Sequence, residues 1–430
     1  MAFTKTEDKI FQPIDPKINP DLFGHKDNEK LFLSSLQSGN CHHAWLLTGN
    51  KGIGKFTFAC RVARFIFATS PQVQNIPMEF WQPVKKVKKS KSANAAIEKK
   101  SDDFGMFSDG FDFMESENIT DEIVDNNIDD TTEAASVGQK NMQIINEKRM
   151  NAETLQIDKS DKIFDQITLG TFADLKIITP DFANNKKEIS IEDVLKIREF
   201  FQMTSSMGDW RVVIIDAVDN LNSNSANALL KILEEPPAMT LFLLVCHNPN
   251  NVLDTIKSRT RVLHFYPLHD EIIERLLFEN ILDIDKNSIC DLIALCEKSI
   301  GNAYDLYNAN VESITNDIKV LLKSLTENKA KNLSKFATDL ARNNHKYNVF
   351  KYLINKFILL AIKAKTGNGM PENISENFSE IIHMISDNCK KNIQNLIDVK
   401  SYIENLFTKC DEINLEKESV IILTLKKILE

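Results

Sequence analysis

The stretch Gly49-Asn50-Lys51-Gly52-Ile53-Gly54-Lys55-Phe56 has the residue types and spacing to hold phosphate. It matches G-x-x-x-x-G-K-[ST] at Gly49, Gly54 and Lys55 and departs from it at the last position. Glycines, here Gly52 as well, let backbone N–H groups curl round phosphate oxygens, and Lys55 would reach the outer phosphates. The final hydroxyl would hold magnesium, and Phe56 stands in its place. Thr57 follows, but one residue on is about 100° further round a helix. A second group lies at Asp216, which ends the apolar run Trp210–Ile215. A carboxylate there orients magnesium-bound water, and the next residue should be a glutamate that polarises the attacking water. The next residue is Ala217, and Asp219 comes only two positions later. In Cys246-His247-Asn248, Asn248 is the natural candidate to sense a γ-phosphate. Gly49, Gly52, Gly54, Lys55 and Asp216 therefore outline a nucleotide pocket whose metal and hydrolytic groups are damaged, and no metal site is expected.

These residues need a scaffold of strands ending at one edge. Trp45–Thr48 is an apolar strand running into the glycine loop, and Phe58, Val62, Phe65 and Ile66 mark an amphipathic helix after it. Asp174–Ile178, Trp210–Ile215, Leu241–Val245 and Val262–Tyr266 read as further strands, most of them apolar throughout, as buried parallel strands are. Between them, Ser190 caps a helix through Phe201, with Asp193 three residues on. Ala226, Leu229, Leu230 and Leu233 give a clear helix that Pro236-Pro237 stops. From Asp270 onward only helical periods occur. An α/β domain with a parallel sheet covered on both faces is expected, followed by helices.

Residues 82–168 break this pattern. Lysines fall at 85, 86, 88, 89, 91, 99 and 100, whereas Ser101 to Ala135 is acidic with no Lys or Arg. Segregated charge without a sustained period predicts a disordered insertion, with order returning near Thr171. The 430 residues carry a net charge of −9, which gives no general attraction to DNA or an anionic membrane. Lys51, Arg61, Arg64 and Lys257 are the local cations that could face DNA. No apolar run is long enough to span a bilayer, the N-terminal residues lack a signal-peptide pattern, and a cytoplasmic location is expected. Seven cysteines without a C-x-x-C pair read as reduced thiols.

The runs His42–Ala68, Asp209–Pro237 and Leu241–Pro267 resemble the delta-prime subunits of the bacterial DNA polymerase III clamp loader, within the AAA+ clamp-loader family. The resemblance rests on His43-Ala-Trp-Leu-Leu-Thr-Gly-x-Lys-Gly-Ile-Gly-Lys55, on Asp216-Ala-Val-Asp-Asn-Leu-Asn222, and above all on Asn224-Ser-Ala-Asn-Ala-Leu-Leu-Lys-Ile-Leu-Glu-Glu-Pro-Pro237. It implies an AAA+ P-loop domain over residues 1–267, a helical lid over 268–312 and an all-α collar over 313–430 that joins a ring. It also implies a subunit of the polymerase holoenzyme with no ATPase activity of its own, partnered by gamma/tau and delta subunits and, indirectly, by the sliding clamp and primer-template DNA. Delta-prime subunits give an arginine from a Ser-Arg-Cys motif to the ATP of a neighbour. Ser258-Arg259-Thr260 matches, so Arg259 is the expected trans-acting arginine, with Arg261 a weaker candidate. The lid motif Gly-Ser-x-Arg-Asp of active relatives appears as Gly301-Asn302-Ala303-Tyr304-Asp305, so its arginine is Tyr304. The four-cysteine zinc module of many relatives gives way to the cysteine-free insertion, and no zinc is expected. ATP or ADP binding without hydrolysis stays open. The alternative is an active gamma/tau-like motor in which Thr57 and Asp219 replace the missing groups.

Overall fold

The computed structural model describes residues 11, 14–70, 149–180, 188–203, 205, 210–282, 284–327, 333–367, 374–388, 393–413 and 415–429. Its α/β part begins with α1 (Lys26–Gln37), β1 (Ala44–Thr48) and α2 (Lys55–Ala68), followed by the short α3 (Lys162–Thr168). Next come β2 (Leu175–Ile178), α4 (Ile191–Gln202), β3 (Arg211–Ile215), α5 (Ser223–Glu234), β4 (Thr240–Cys246), α6 (Asp254–Lys257) and β5 (Arg261–His264). The strands form one parallel sheet in the order β2-β3-β4-β1-β5. Both faces are covered, which is why β3 and β4 read as continuously apolar. Val212 and Ile214 face the α2 side with Phe58, Val62 and Ile66, while Val213 and Ile215 face the α4–α5 side with Val194, Ile197 and Leu229. The capping box at α4 forms as the sequence suggests, with Asp193 N–H donating to Ser190 Oγ (3.3 Å) and Ser190 N–H to Asp193 Oδ2 (3.3 Å).

After the sheet, α7 (Asp270–Asn280), α8 (Lys286–Leu295) and α9 (Ile300–Asn308) precede α10 (Val311–Thr326), α11 (Leu333–Arg342), α12 (Asn344–Lys365), α13 (Glu376–Asn388), α14 (Ile393–Ile413) and α15 (Lys417–Leu429). One hydrophobic cluster runs through all of them, from Leu268 to Ile428. Among the described residues, no helix is long and apolar enough to cross a membrane.

Order returns earlier than the charge pattern suggests. Residues 149–168, expected in the disordered insertion, fold back on α2 and bury Leu155, Ile163 and Ile167. Two apolar anchors in one short helix and one more, Leu155, ahead of it are too few to raise a periodic signal, yet enough to dock against an existing helix. The disorder expected for 82–148 lies outside the described residues. The chain re-enters beside the point where it left: Arg149 Nε donates to Thr69 Oγ1 (3.2 Å) and Nη2 to Thr69 O (3.0 Å).

A buried ion pair fastens this region. Arg61 donates from Nε (3.0 Å) and Nη2 (2.9 Å) to Glu29 Oε1, which also accepts from Leu155 N–H (2.6 Å), and Arg61 Nη1 donates to Pro20 O (2.6 Å). Arg64 is 2% exposed and donates to Asn19 O and Cys60 O. Arg61 and Arg64 thus join the N-terminal segment to α1 and α2, and neither is available to DNA. A cation on an amphipathic helix looks solvated in sequence. Here the N-terminal segment covers it and supplies carbonyl acceptors.

Candidate functional site

The parallel order brings three chain positions to the carboxyl edge of the sheet, where ligands bind in open α/β folds. The glycine loop leaves β1, Asp216 leaves β3 and His247 leaves β4. Gly49 (φ +146°) and Gly52 (φ +76°) are backbone requirements as much as ligand-binding ones. A Cβ on Gly49 would stand 2.4 Å from Phe265 O. One on Gly52 would stand 2.6 Å from Ser299 Oγ and 2.8 Å from Gly301 Cα. Gly54 N-caps α2 with φ +105°.

A cavity of about 600 Å³ opens between this loop, the N-terminal segment, α7 and α9. That is within the usual range for small-molecule sites. Lys51, Gly52, Gly54, Lys55, Phe56, Thr57 and Asp216 line it together with Leu22, Phe23, Leu276, Ile300 and Tyr304. Of the predicted pocket residues, Gly52, Gly54, Lys55 and Asp216 therefore converge, whereas Gly49 supports the loop from behind. Asp15, Asp21, Glu279 and Asp305 also line the cavity. With Asp216 these acids outnumber Lys51 and Lys55, so a polyphosphate would meet net repulsion unless a cation accompanied it.

Phe56 works against that cation. Where a hydroxyl would bind magnesium, its ring packs partly buried against the core beneath the loop. Lys55, only 2% exposed, donates from Nζ to the loop's own carbonyls, Gly49 O at 2.6 Å and Asn50 O at 2.5 Å. Burial pushes its ammonium down to about 8, opposed by the charges of Asp216 and Asp219. A phosphate would have to draw Lys55 off those carbonyls. Burial also pushes the Asp216 carboxyl above its ordinary range, with Lys55 and Lys51 pulling it back.

Asp219 is occupied as well. Its carboxylate accepts both His247 N–H (3.0 Å) and Asn248 N–H (3.0 Å), which ties the turn after β3 to the turn after β4. Asn248, the expected γ-phosphate sensor, spends its side-chain oxygen on Asn250 N–H (3.2 Å) and does not line the cavity. His247 does, with Nε2 at 3.9 Å from Asp216 Oδ1. Burial first and Lys55 second push its imidazole down to about 4, so it is neutral at pH 7. Sequence reasoning passed over His247 because an imidazole after a strand carries no spacing signal of its own.

The lid side closes on the loop. Ser299 Oγ donates to Lys51 O (2.6 Å) and Gly301 N–H to Gly52 O (2.9 Å). Tyr304 accepts from Asn280 Nδ2 (3.1 Å), packs with its ring tilted against that of Phe11 (centroids 4.8 Å apart) and has its phenol pushed up to about 12 by burial. It brings an uncharged ring to the cavity, at the position where the lid motif Gly-Ser-x-Arg-Asp would place an arginine.

Arg259 lies apart from this cavity, after α6. Ile256, 1% exposed, anchors α6 in the core against α5. The Arg259 guanidinium stays at the surface, its side chain 36% exposed, with Nη2 at 2.8 Å from Glu234 Oε1. Ser258 Oγ bonds back to Thr255 O. Arg261 instead covers the ring of buried Trp45 at 4.9 Å, and Lys257 pairs with exposed Asp254. Among the described residues, no cluster of His, Cys, Asp or Glu is arranged to hold a metal ion.

The sheet order, the glycine loop on β1 and the helices closing over it define an AAA+ P-loop module with a helical C-terminal part. A family model described as DNA polymerase III, delta subunit, matches residues 24–155 and 151–269, more than half of the chain. The chain belongs to that family, as a delta-prime-like member of the clamp-loader group. The DNA polymerase III subunit delta' of Bacillus subtilis is 33% identical over 141 residues, which are 33% of this chain and 41% of that protein. The delta' subunit of Pseudomonas aeruginosa is 39% identical over 93 residues, 22% of this chain and 28% of that one. The tau subunit of Salmonella typhimurium is 31% identical over 183 residues, 40% and 28% of the two chains. The matched stretches thus span less than half of each relative. Among solved structures, a DNA polymerase III gamma subunit-related protein of Thermotoga maritima is 17% identical with a TM-score of 0.29 over 60% of this chain and 83% of that one.

Proposed function

We propose that this chain is a clamp-loader subunit that does not hydrolyse ATP itself and gives Arg259 to the ATP held by a neighbouring subunit during sliding-clamp loading. The observation that carries the reading is the contrast between the two sites. In the chain's own pocket Phe56 displaces the metal hydroxyl, Ala217 replaces the water-polarising acid, and Asp219 is committed to the β4 turn. Losses of this kind typically cost powers of ten in turnover. Arg259, by contrast, is held at the surface with its charge accessible. A fixed guanidinium stabilises charge on a transferring phosphoryl group and can act across an interface.

In this reading residues 268–312 act as the lid and 313–430 as the collar that meets gamma/tau and delta subunits in the cytoplasm. DNA and the clamp are met through the assembled ring. The loop glycines and Lys55 are the groups that would hold the phosphates of an adenine nucleotide, but the acids of the cavity and the loss of the metal hydroxyl to Phe56 both oppose a magnesium nucleotide. A motor role for this chain would need Thr57 and Asp219 as substitutes, and the two backbone bonds on Asp219 count against it. The test is steady-state ATP turnover by the reconstituted complex with clamp and primed DNA. Arg259→Ala should lower it by about 10³-fold or more at the site it serves. An unchanged rate in a correctly assembled ring refutes the proposal.

A further inference from the structure

We infer that Glu234 is a positioning residue for Arg259, holding the guanidinium in the place from which it meets a neighbour's phosphoryl group; this rests on the trans-acting reading above. Glu234 is the last residue of α5, and Pro236-Pro237 end the helix just beyond it, so its backbone position is set. Arg259 follows α6, which Ile256 locks against α5. The guanidinium is gripped from two sides. Nη2 meets Glu234 Oε1 at 2.8 Å, while Nη1 donates to Thr255 O at 3.0 Å and lies 3.4 Å from Ser258 Oγ. A guanidinium has five N–H donors, so this grip leaves donors for a phosphate.

The pair has little to do for stability, because exposed ion pairs contribute little. With side chains 36% and 48% exposed, both partners are within reach of another subunit. Lys257 on the same turn pairs with Asp254 rather than with Glu234. The work left for the pair is geometric. A free arginine samples many rotamers and must be ordered when the interface forms, whereas a held one gives up less freedom on engagement. An acid bound to the finger could instead compete with phosphate, and that alternative predicts the opposite sign.

The test uses the complete ring, reconstituted with ATP-binding partner subunits and checked for assembly by size-exclusion chromatography. ATP turnover is measured with Glu234→Ala, Glu234→Gln, Arg259→Ala and the double variant Glu234→Ala/Arg259→Ala. Glu234→Ala should lower kcat about three- to tenfold with KM unchanged, from the freedom regained by one long side chain. Glu234→Gln, whose amide oxygen still accepts the bond, should recover most of that loss. The double variant should be no slower than Arg259→Ala. A normal or faster Glu234→Ala ring beside a slow Arg259→Ala ring overturns the positioning role alone. So does a double variant slower than Arg259→Ala. A normal Arg259→Ala ring overturns the trans-acting reading and this inference with it.

Discussion

Gly301→Ala is the substitution for which helix propensity and tertiary structure disagree in sign. Gly301 lies in the first turn of α9, and alanine in place of glycine in a helix is worth up to about 1 kcal/mol of added stability. The structure says the reverse. A Cβ there would sit 2.7 Å from Gly52 Cα, about 1 Å closer than a comfortable carbon–carbon contact. The opposing atoms are backbone, so no rotamer change relieves the clash. The start of α9 must retreat and stretch Gly301 N–H to Gly52 O (2.9 Å) and Ser299 Oγ to Lys51 O (2.6 Å). Two such bonds are worth about 2 kcal/mol together, and overpacking adds about 1 kcal/mol or more. Set against the propensity gain, a net loss of about 2 kcal/mol is expected. Urea unfolding followed by native-state hydrogen exchange measures it, the second because a chain with several packed units need not unfold in one step. The amide at position 301 should be less protected in the variant once intrinsic exchange rates are corrected for the changed side chain. Equal or greater stability with unchanged protection at position 301 would show that the glycine contact does not hold α9 to the loop.

Two further outcomes follow from the geometry. His247 has its folded pKa pushed down to about 4, below its ordinary 6.5, so between pH 6.5 and about 4 the unfolded chain binds more protons there and stability falls on acidification. The contribution reaches about 3 kcal/mol at the acid end. His247→Gln should flatten the urea-midpoint profile over that window; an unchanged slope refutes it. Buried His25 shifts in the same direction and will keep part of the slope. Replacing residues 71–148 with a short Gly/Ser linker should leave the fold intact, since Arg149 and Thr69 are hydrogen-bonded neighbours. A fall in melting temperature would refute this, and loss of ring assembly without such a fall would assign the segment to a partner.

The sequence by itself determined the scaffold. Continuous apolar runs placed the strands and 3.6-residue periods the helices between and after them, and the runs at 211–215 and 241–245 required two covered faces. It also located the loop glycines, Asp216 and the defects at Phe56, Ala217 and Tyr304, because those signals are local in the chain. What surrounds them was decided by the tertiary structure alone. Whether Arg61 and Arg64 face DNA or the core depends on an N-terminal segment that covers them, and whether residues 149–168 are ordered depends on a helix they dock against. The engagement of Asp219 by the β4 turn, of Lys55 by its own loop and of Arg259 by Glu234 each joins residues that hydrogen-bond geometry, not spacing, brings together. Sequence patterns report which side of an element is buried, and the partner that buries it is a property of the folded chain.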